Sequence, residues 1–251
     1  VKSNRLWIAS TATPAFRNFT PADANRGALF EFDLQTLELL NRYNLPVDAL
    51  PHELGGIAVT DAGDVYVIDR ATPIIYRKTV DGNRLEAFAG SAQLVALTDI
   101  AVTPDNSRIF VADAVMGILL IDPIAQRSMM LAGPETLNLS GIYGIEYINT
   151  NLIVTQSGIS PQRIMRLQLN PAGAAVGGVT PMASSLEGFD TPGVGTLRGE
   201  SLYYFANHGT RKPDQELLMM ASPLSAGNEV KPPDMNQFGE AFKNTMDQQQ
   251  Q

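Results

Sequence analysis

The sequence predicts an all-β chain built as a β-propeller, and three observations carry that expectation: a phrase written twice, hairpin turns inside each copy, and strands that are apolar almost throughout. "GIAVTDAGDVYVIDRA", beginning at Gly56, is followed by "DIAVTPDNSRIFVADA", beginning at Asp99. Asp61-Ala62-Gly63 and Asp81-Gly82-Asn83 supply the turns, because Gly and Asn tolerate the positive φ that tight hairpins need. Runs such as "ILLI" and "LLMM" suit strands covered on both faces, as in a sheet packed between two neighbours.

Taken in order, the template copy gives strands over 56–60, 64–69, 74–79 and 84–89, and four strands in about forty residues make one propeller blade. The order returns over 99–132 as "DIAVT", "RIFVAD", "ILLID" and "SMMLA". It returns more loosely over 143–182 as "YGIEY", "NLIVTQ", "RIMRLQL" and "AVGGVTPM". A last copy from Gly193 holds "GVGTL", "SLYYFA" and "ELLMMAS", and the Met pairs at 129/130 and 219/220 read as core filler. Ahead of them all, "RLWIAS", "GALFEFDL" and "LELLNRY" make a blade without its innermost strand. Aligned on the second strand, the copies begin at Arg5, Asp64, Arg108, Asn151 and Ser201, a spacing of blades rather than of leucine-rich or helical solenoids.

Five blades are therefore countable, and the expectation for the complete protein is a six-bladed ring with its remaining strands upstream of Val1, five blades being the alternative. The propeller domain is expected over 1–224. Residues 225–251, polar and Pro-containing, are expected to form a tail with one short helix over 236–246.

Composition excludes several function classes. The formal charge is −8 and none of the 18 Lys and Arg residues cluster in a run, which argues against a nucleic-acid surface. There is no cysteine, so thiolate nucleophiles, disulfides and Cys-type zinc sites drop out. No apolar stretch approaches the roughly 18 residues of a membrane-spanning helix. A periplasmic or secreted location is expected, with the leader absent from this sequence. Asn18-Phe19-Thr20 and Asn138-Leu139-Ser140 have the form of glycosylation acceptors. There is no Gly-x-Ser-x-Gly elbow, no phosphate-binding Gly-Lys-Ser/Thr and no His-Glu-x-x-His, and "GVGTLRG" has the wrong spacing for a dinucleotide fingerprint.

Loop lengths locate the site. Turns such as "TDAGD", "TPDNS", "INTN" and "LRGES" are short, whereas the connections over 11–26, 44–55, 90–98, 133–142, 157–162 and 207–215 are long and varied. In a blade these two sets lie on opposite faces, and binding residues concentrate on long connections over a rigid scaffold. The residues expected at the mouth of the central channel are His52, Glu53, Asp99, Tyr143 and Asp190, with Arg70, Gln162, Arg163 and His208 above them. A His52–His208 general-base pair would require the second and fifth copies to meet across the ring. Asp69, Asp113 and Asn207, at the ends of second strands, are expected to hold the following turns by side-chain to backbone bonds.

"GIAVTDAGDVYVIDRA", "IEYINTNLIVTQSGISPQRIMRLQL" and "TPGVGTLRGESLYYFANHG" resemble the bacterial branch of the senescence-marker-protein/gluconolactonase-like propellers. "NRLWIAS" ahead of "FDL" resembles the opening of Yellow/royal-jelly-type propellers. The first resemblance implies a divalent cation, calcium for a set of hard oxygen ligands, held at the channel mouth by Glu, Asn and Asp and polarising a lactone carbonyl. The corresponding phrases here are Gly55-Gly56-Ile57, Thr98-Asp99-Ile100, Tyr143-Gly144-Ile145 and Pro192-Gly193-Val194; none carries the Asn, and Asp99 is the one carboxylate near the pattern and the candidate metal ligand. Two functions are expected from this reading. One is a propeller that binds a small molecule or a protein in the cup of long loops, without a complete catalytic metal site. The alternative is a lactone or ester hydrolase using Asp99 and Glu53 as ligands or bases.

Overall fold

The computed structural model describes residues 4–46, 48–90, 94–208 and 216–225. Eighteen strands form five antiparallel sheets among these residues, with one 3-10 turn at Pro21–Asp23. Blade I holds β1 (Arg5–Thr11), β2 (Gly27–Asp33) and β3 (Leu39–Asn44). Blade II holds β4 (Leu54–Val59), β5 (Val65–Asp69), β6 (Ile74–Lys78) and β7 (Glu86–Gly90). Blade III holds β8 (Leu97–Val102), β9 (Ile109–Asp113), β10 (Gly117–Asp122) and β11 (Arg127–Met130). Blade IV holds β12 (Ile142–Ile148), β13 (Asn151–Gln156), β14 (Arg163–Leu169) and β15 (Val176–Ser184). Blade V holds β16 (Gly195–Arg198), β17 (Ser201–Phe205) and β18 (Met219–Pro223).

The blades follow one another around an axis lined by β4, β8, β12 and β16, each inner strand touching the next. Strand β1 packs on β4 as β5 packs on β8 and β9 on β12, so it occupies the second-strand position of its blade. The core is divided accordingly into four apolar clusters, one between each adjacent pair of blades. Strand β9 shows how sequence produces this arrangement. Side chains alternate across a strand, so Ile109 and Val111 pack toward blade II while Phe110 and Ala112 pack toward blade IV. All four are 0% exposed, and burying each of the larger ones contributes about 1.5–3 kcal/mol. A strand sandwiched in this way has no polar face, which accounts for the unbroken apolar runs of the sequence.

Turns and strand ends behave as their residue types dictate. Gly63 (φ 97°) and Asn106 (φ 56°) take the left-handed positions of the β4–β5 and β8–β9 hairpins. Asp69 Oδ1 accepts from the N–H groups of Glu53, Ala71 and Thr72. Asp113 accepts four backbone N–H groups, those of Val115 and Met116 on Oδ1 and of Val95 and Ala96 on Oδ2. Asn207 Oδ1 accepts from Leu218 N–H and its amide donates to the Glu216 carbonyl. Each of these residues clamps long connections to the end of a second strand. Of the Met pairs, Met220 is buried whereas Met129, on outer strand β11, is 53% exposed, because an outermost strand has no further strand to cover it. The short helix expected over 236–246, and the tail after Ser225, lie outside the described residues. Among the described residues, no helix is long and apolar enough to cross a membrane.

Candidate functional site in the central channel

The inner strands line an axial cavity of about 570 Å³, whose less-buried apolar residues are Ile57, Val59, Val102 and Val194. Three of the four strands are irregular where they begin: the ladders slip between Leu54 and Ile57, between Leu97 and Asp99, and between Ile142 and Gly144. Bulges of this kind bend a strand and re-aim its side chains. Beyond them the registers match, since Ile57, Ile100 and Ile145 stand opposite Val67, Val111 and Val154.

This common register shows what is unusual. The position before the isoleucine is Gly56 in blade II, Asp99 in blade III and Gly144 in blade IV. The position after it is Ala58, Ala101 and Glu146. Two carboxylates thus stand in layers that the other aligned blades fill with Gly or Ala. Space for Asp99 depends on Gly56, because a Cβ there would overlap Asp99 Oδ1 and lie 3.0 Å from its Cα.

Asp99 is 8% exposed, and its Oδ2 accepts the Ile145 N–H at 2.9 Å, tying blade III to blade IV. Burial pushes its pKa up to about 6, against the opposing pull of the Ile145 and Ile100 N–H groups and of the Arg70 charge. Glu146 lies half-buried on the channel wall, with burial and the neighbouring Asp99 charge pushing its pKa up to about 7. Arg70 also lines the channel; its Nη2 donates to the Thr98 carbonyl at 2.9 Å, and Nη1 lies 3.9 Å from Glu53 Oε1. Near neutral pH Glu146 is therefore only partly protonated and Asp99 mostly ionised, close to the Arg70 cation.

The structure brings Arg70 and Asp99 together in the channel, with Glu53 exposed beside Arg70. The remaining residues expected at the mouth stand apart from the channel lining. His52 is buried, its Nδ1 2.6 Å from Asp69 Oδ2 and its Nε2 3.0 Å from Asp48 Oδ1. Burial works against a charged ring, but the two carboxylates outweigh it and raise the His52 pKa. Gln162 Oε1 accepts from Thr191 N–H, and Arg163 Nε donates to Gln156 Oε1, so both brace loops. Tyr143 and Asp190 are exposed, and His208, also exposed, lies over Gly193. Glu146 is the functional candidate that motif reading passes over. Its signal is positional, a lone carboxylate where aligned copies carry Ala.

Among the described residues, no three His, Cys, Asp or Glu side chains gather closely enough to hold a metal ion. Asp99 and Glu146 beside a guanidinium fall short of the roughly six to eight oxygens that calcium takes, and one Asp99 oxygen is already engaged by Ile145 N–H.

No protein-family model matches the sequence, and no curated protein matches it. Solved structures do. A chain from the crystal structure of a nidogen/laminin complex is similar over 83% of this chain and 92% of its own, with a TM-score of 0.54 and 17% identity. Dihydro-heme d1 dehydrogenase NirN in complex with DHE is similar over 90% of this chain and 48% of its own, with a TM-score of 0.52 and 14% identity. The chain is a β-propeller. At these identities the likeness is one of fold, and the chemistry has to be argued from the propeller's own channel.

Proposed function

We propose that this propeller binds a small molecule in its central channel, entered from the face that carries the long connections. One observation supports the reading above the others: Asp99 and Glu146 project into a cavity of about 570 Å³ from layers that the aligned blades leave to Gly and Ala. A cavity of that size on which a few polar groups converge has the make-up of a ligand site. Asp99 ties blade III to blade IV through the Ile145 N–H, a smaller structural load than the three and four backbone N–H groups accepted by Asp69 and Asp113. The test is a fragment screen by ligand-observed NMR on the wild type and on Val59→Trp and Val102→Trp, which fill the channel from β4 and β8. Hits lost in both folded variants support the reading, and hits retained in both place binding elsewhere and overturn it.

A second reading rests on the same pair. A half-buried Glu146 with its pKa near 7 suits a general base at neutral pH, in line with the lactone or ester hydrolase that the gluconolactonase-like resemblance implies. In this reading Glu146 takes a proton from water and Arg70 offers N–H groups to the developing oxyanion. Turnover of a lactone and ester panel, with calcium and after chelation, decides it; no turnover in either condition ends the hydrolase reading.

A further inference from the structure

The channel carries an imbalance that its own residues leave uncorrected. Among the described residues, every charged group lining it can be named. Blade II brings Arg70, with Glu53 behind it at 3.9 Å; blade III brings Asp99; blade IV brings Glu146 and the phenol of Tyr147. Blade V contributes Val194 and Gly195, which carry no charge. Arg70 is drawn toward the outer side of this set by Glu53 and by the Thr98 carbonyl, and its attraction reaches Asp99. Glu146 interacts electrostatically with Asp99, a charge of its own sign.

We infer that the ligand of this channel is an organic primary amine whose ammonium group sits between Asp99 and Glu146 and whose hydrocarbon part lies against Ile57, Val59, Val102 and Val194. This inference rests on the channel-binding reading and adds the chemical class to it. An ammonium carries three N–H donors and one positive charge, which meets two acceptor carboxylates and cancels the repulsion between them. The walls separate an organic cation from a metal ion. A calcium ion needs oxygen on most sides, and apolar Ile and Val side chains supply none, whereas an alkyl or aryl amine gains by covering them.

The experiment compares matched pairs that differ only in the headgroup: butylamine with butanol, hexylamine with hexanol, and 2-phenylethylamine with 2-phenylethanol. Binding to the whole chain is measured by calorimetry at pH 7.5, with calcium chloride alone as a separate titrant. The expected result is that at least one amine binds about tenfold or more tightly than its alcohol, and that Glu146→Gln abolishes the preference. Asp99→Asn provides a second variant with the same expectation, since the Asn carbonyl can still accept Ile145 N–H. Asp190→Asn, exposed and outside the channel, should leave the preference intact. If alcohols bind in the channel as tightly as amines, the amine inference fails while the binding reading stands. If calcium binds there and no amine displaces it, or no amine binds at all, the inference is likewise overturned. Fragment hits retained in both Val59→Trp and Val102→Trp would instead remove the binding reading beneath it.

Discussion

Replacing Asp113 with Ala should cost this protein more than almost any other single change to a polar side chain. Asp113 is 0% exposed, and its two oxygens accept four backbone N–H groups at 2.7 to 2.9 Å. Two belong to Val115 and Met116 in the turn after β9, and two to Val95 and Ala96 just ahead of β8. Taken at about 1.5 kcal/mol each, the low end for hydrogen bonds to a charged acceptor, the four sum to about 6 kcal/mol. Val95, Val115 and Met116 are exposed residues, and water replacing about half the lost bonds leaves a cost of about 3 kcal/mol.

Urea denaturation measures this. With a slope of about 3 kcal/mol per molar for a chain of this size, the midpoint should fall by about 1 M. Asp113→Asn should lose at least half as much, because its amide would meet two of the N–H groups as a second donor. The pH dependence provides an independent check. Burial raises the Asp113 pKa, but the N–H groups win and hold it below the ordinary carboxylate value. A lowered folded pKa means the contribution is complete above the unfolded value of about 3.9 and is lost as pH falls through the folded one. The gap between wild type and variant should therefore be constant from about pH 8 to 5 and close below about pH 4. A midpoint shift under about 0.3 M, corresponding to less than about 1 kcal/mol, would refute the view that this carboxylate clamps the two connections.

Three further outcomes are expected. Gly56→Ala forces a Cβ into Asp99 Oδ1, and should lower stability by about 1–3 kcal/mol in thermal melts and weaken channel binding in parallel. Glu146→Gln should be more stable than wild type at pH 8 and indistinguishable at pH 4: a glutamate whose folded pKa is raised to about 7 exacts no cost while protonated in both states, and exacts it fully above that value. His52→Gln should show the reverse trend. A raised histidine pKa gives stability that is complete below the unfolded value of about 6.5 and is lost as pH rises through the folded one, so the deficit of the variant should shrink between about pH 6 and 9 in denaturant titrations.

Much of the fold was legible because local chemistry and global packing agree. Gly63 and Asn106 mark hairpins that any chain would form there, and the apolar runs of β5, β9 and β13 have one sensible use, burial between blades. The clamps at Asp69, Asp113 and Asn207 were readable for the same reason, since their partners lie in nearby turns and connections. The site was legible in part. Asp99 stands out against the glycines of its layer, and Arg70 follows directly on a strand end. Glu146 stays hidden inside "YGIEY" until the copies are aligned by ladder register rather than by phrase, because only the register shows that its counterparts are Ala58 and Ala101. His52 was placed at the mouth by its loop, yet its direction is set by Asp69, 17 residues away, and by Asp48. A contact that long is decided by where β5 ends in space, which residue type alone does not reveal.

The inner strands therefore divide their positions between support and chemistry. Isoleucines at 57, 100 and 145 repeat because each must fill the same wedge between neighbouring blades, and changing one opens a cavity that two blades feel. The flanking positions carry Gly or Ala in the other aligned blades, so small residues suffice for folding there and a carboxylate adds a desolvation cost. That cost is highest where two carboxylates are neighbours, as Asp99 and Glu146 are across blades III and IV. A scaffold made only to stand would place its charges on the outer strands, where water cancels their repulsion. Two carboxylates at the axis, on strands whose ladders slip where they begin, are what the proposed channel ligand would account for.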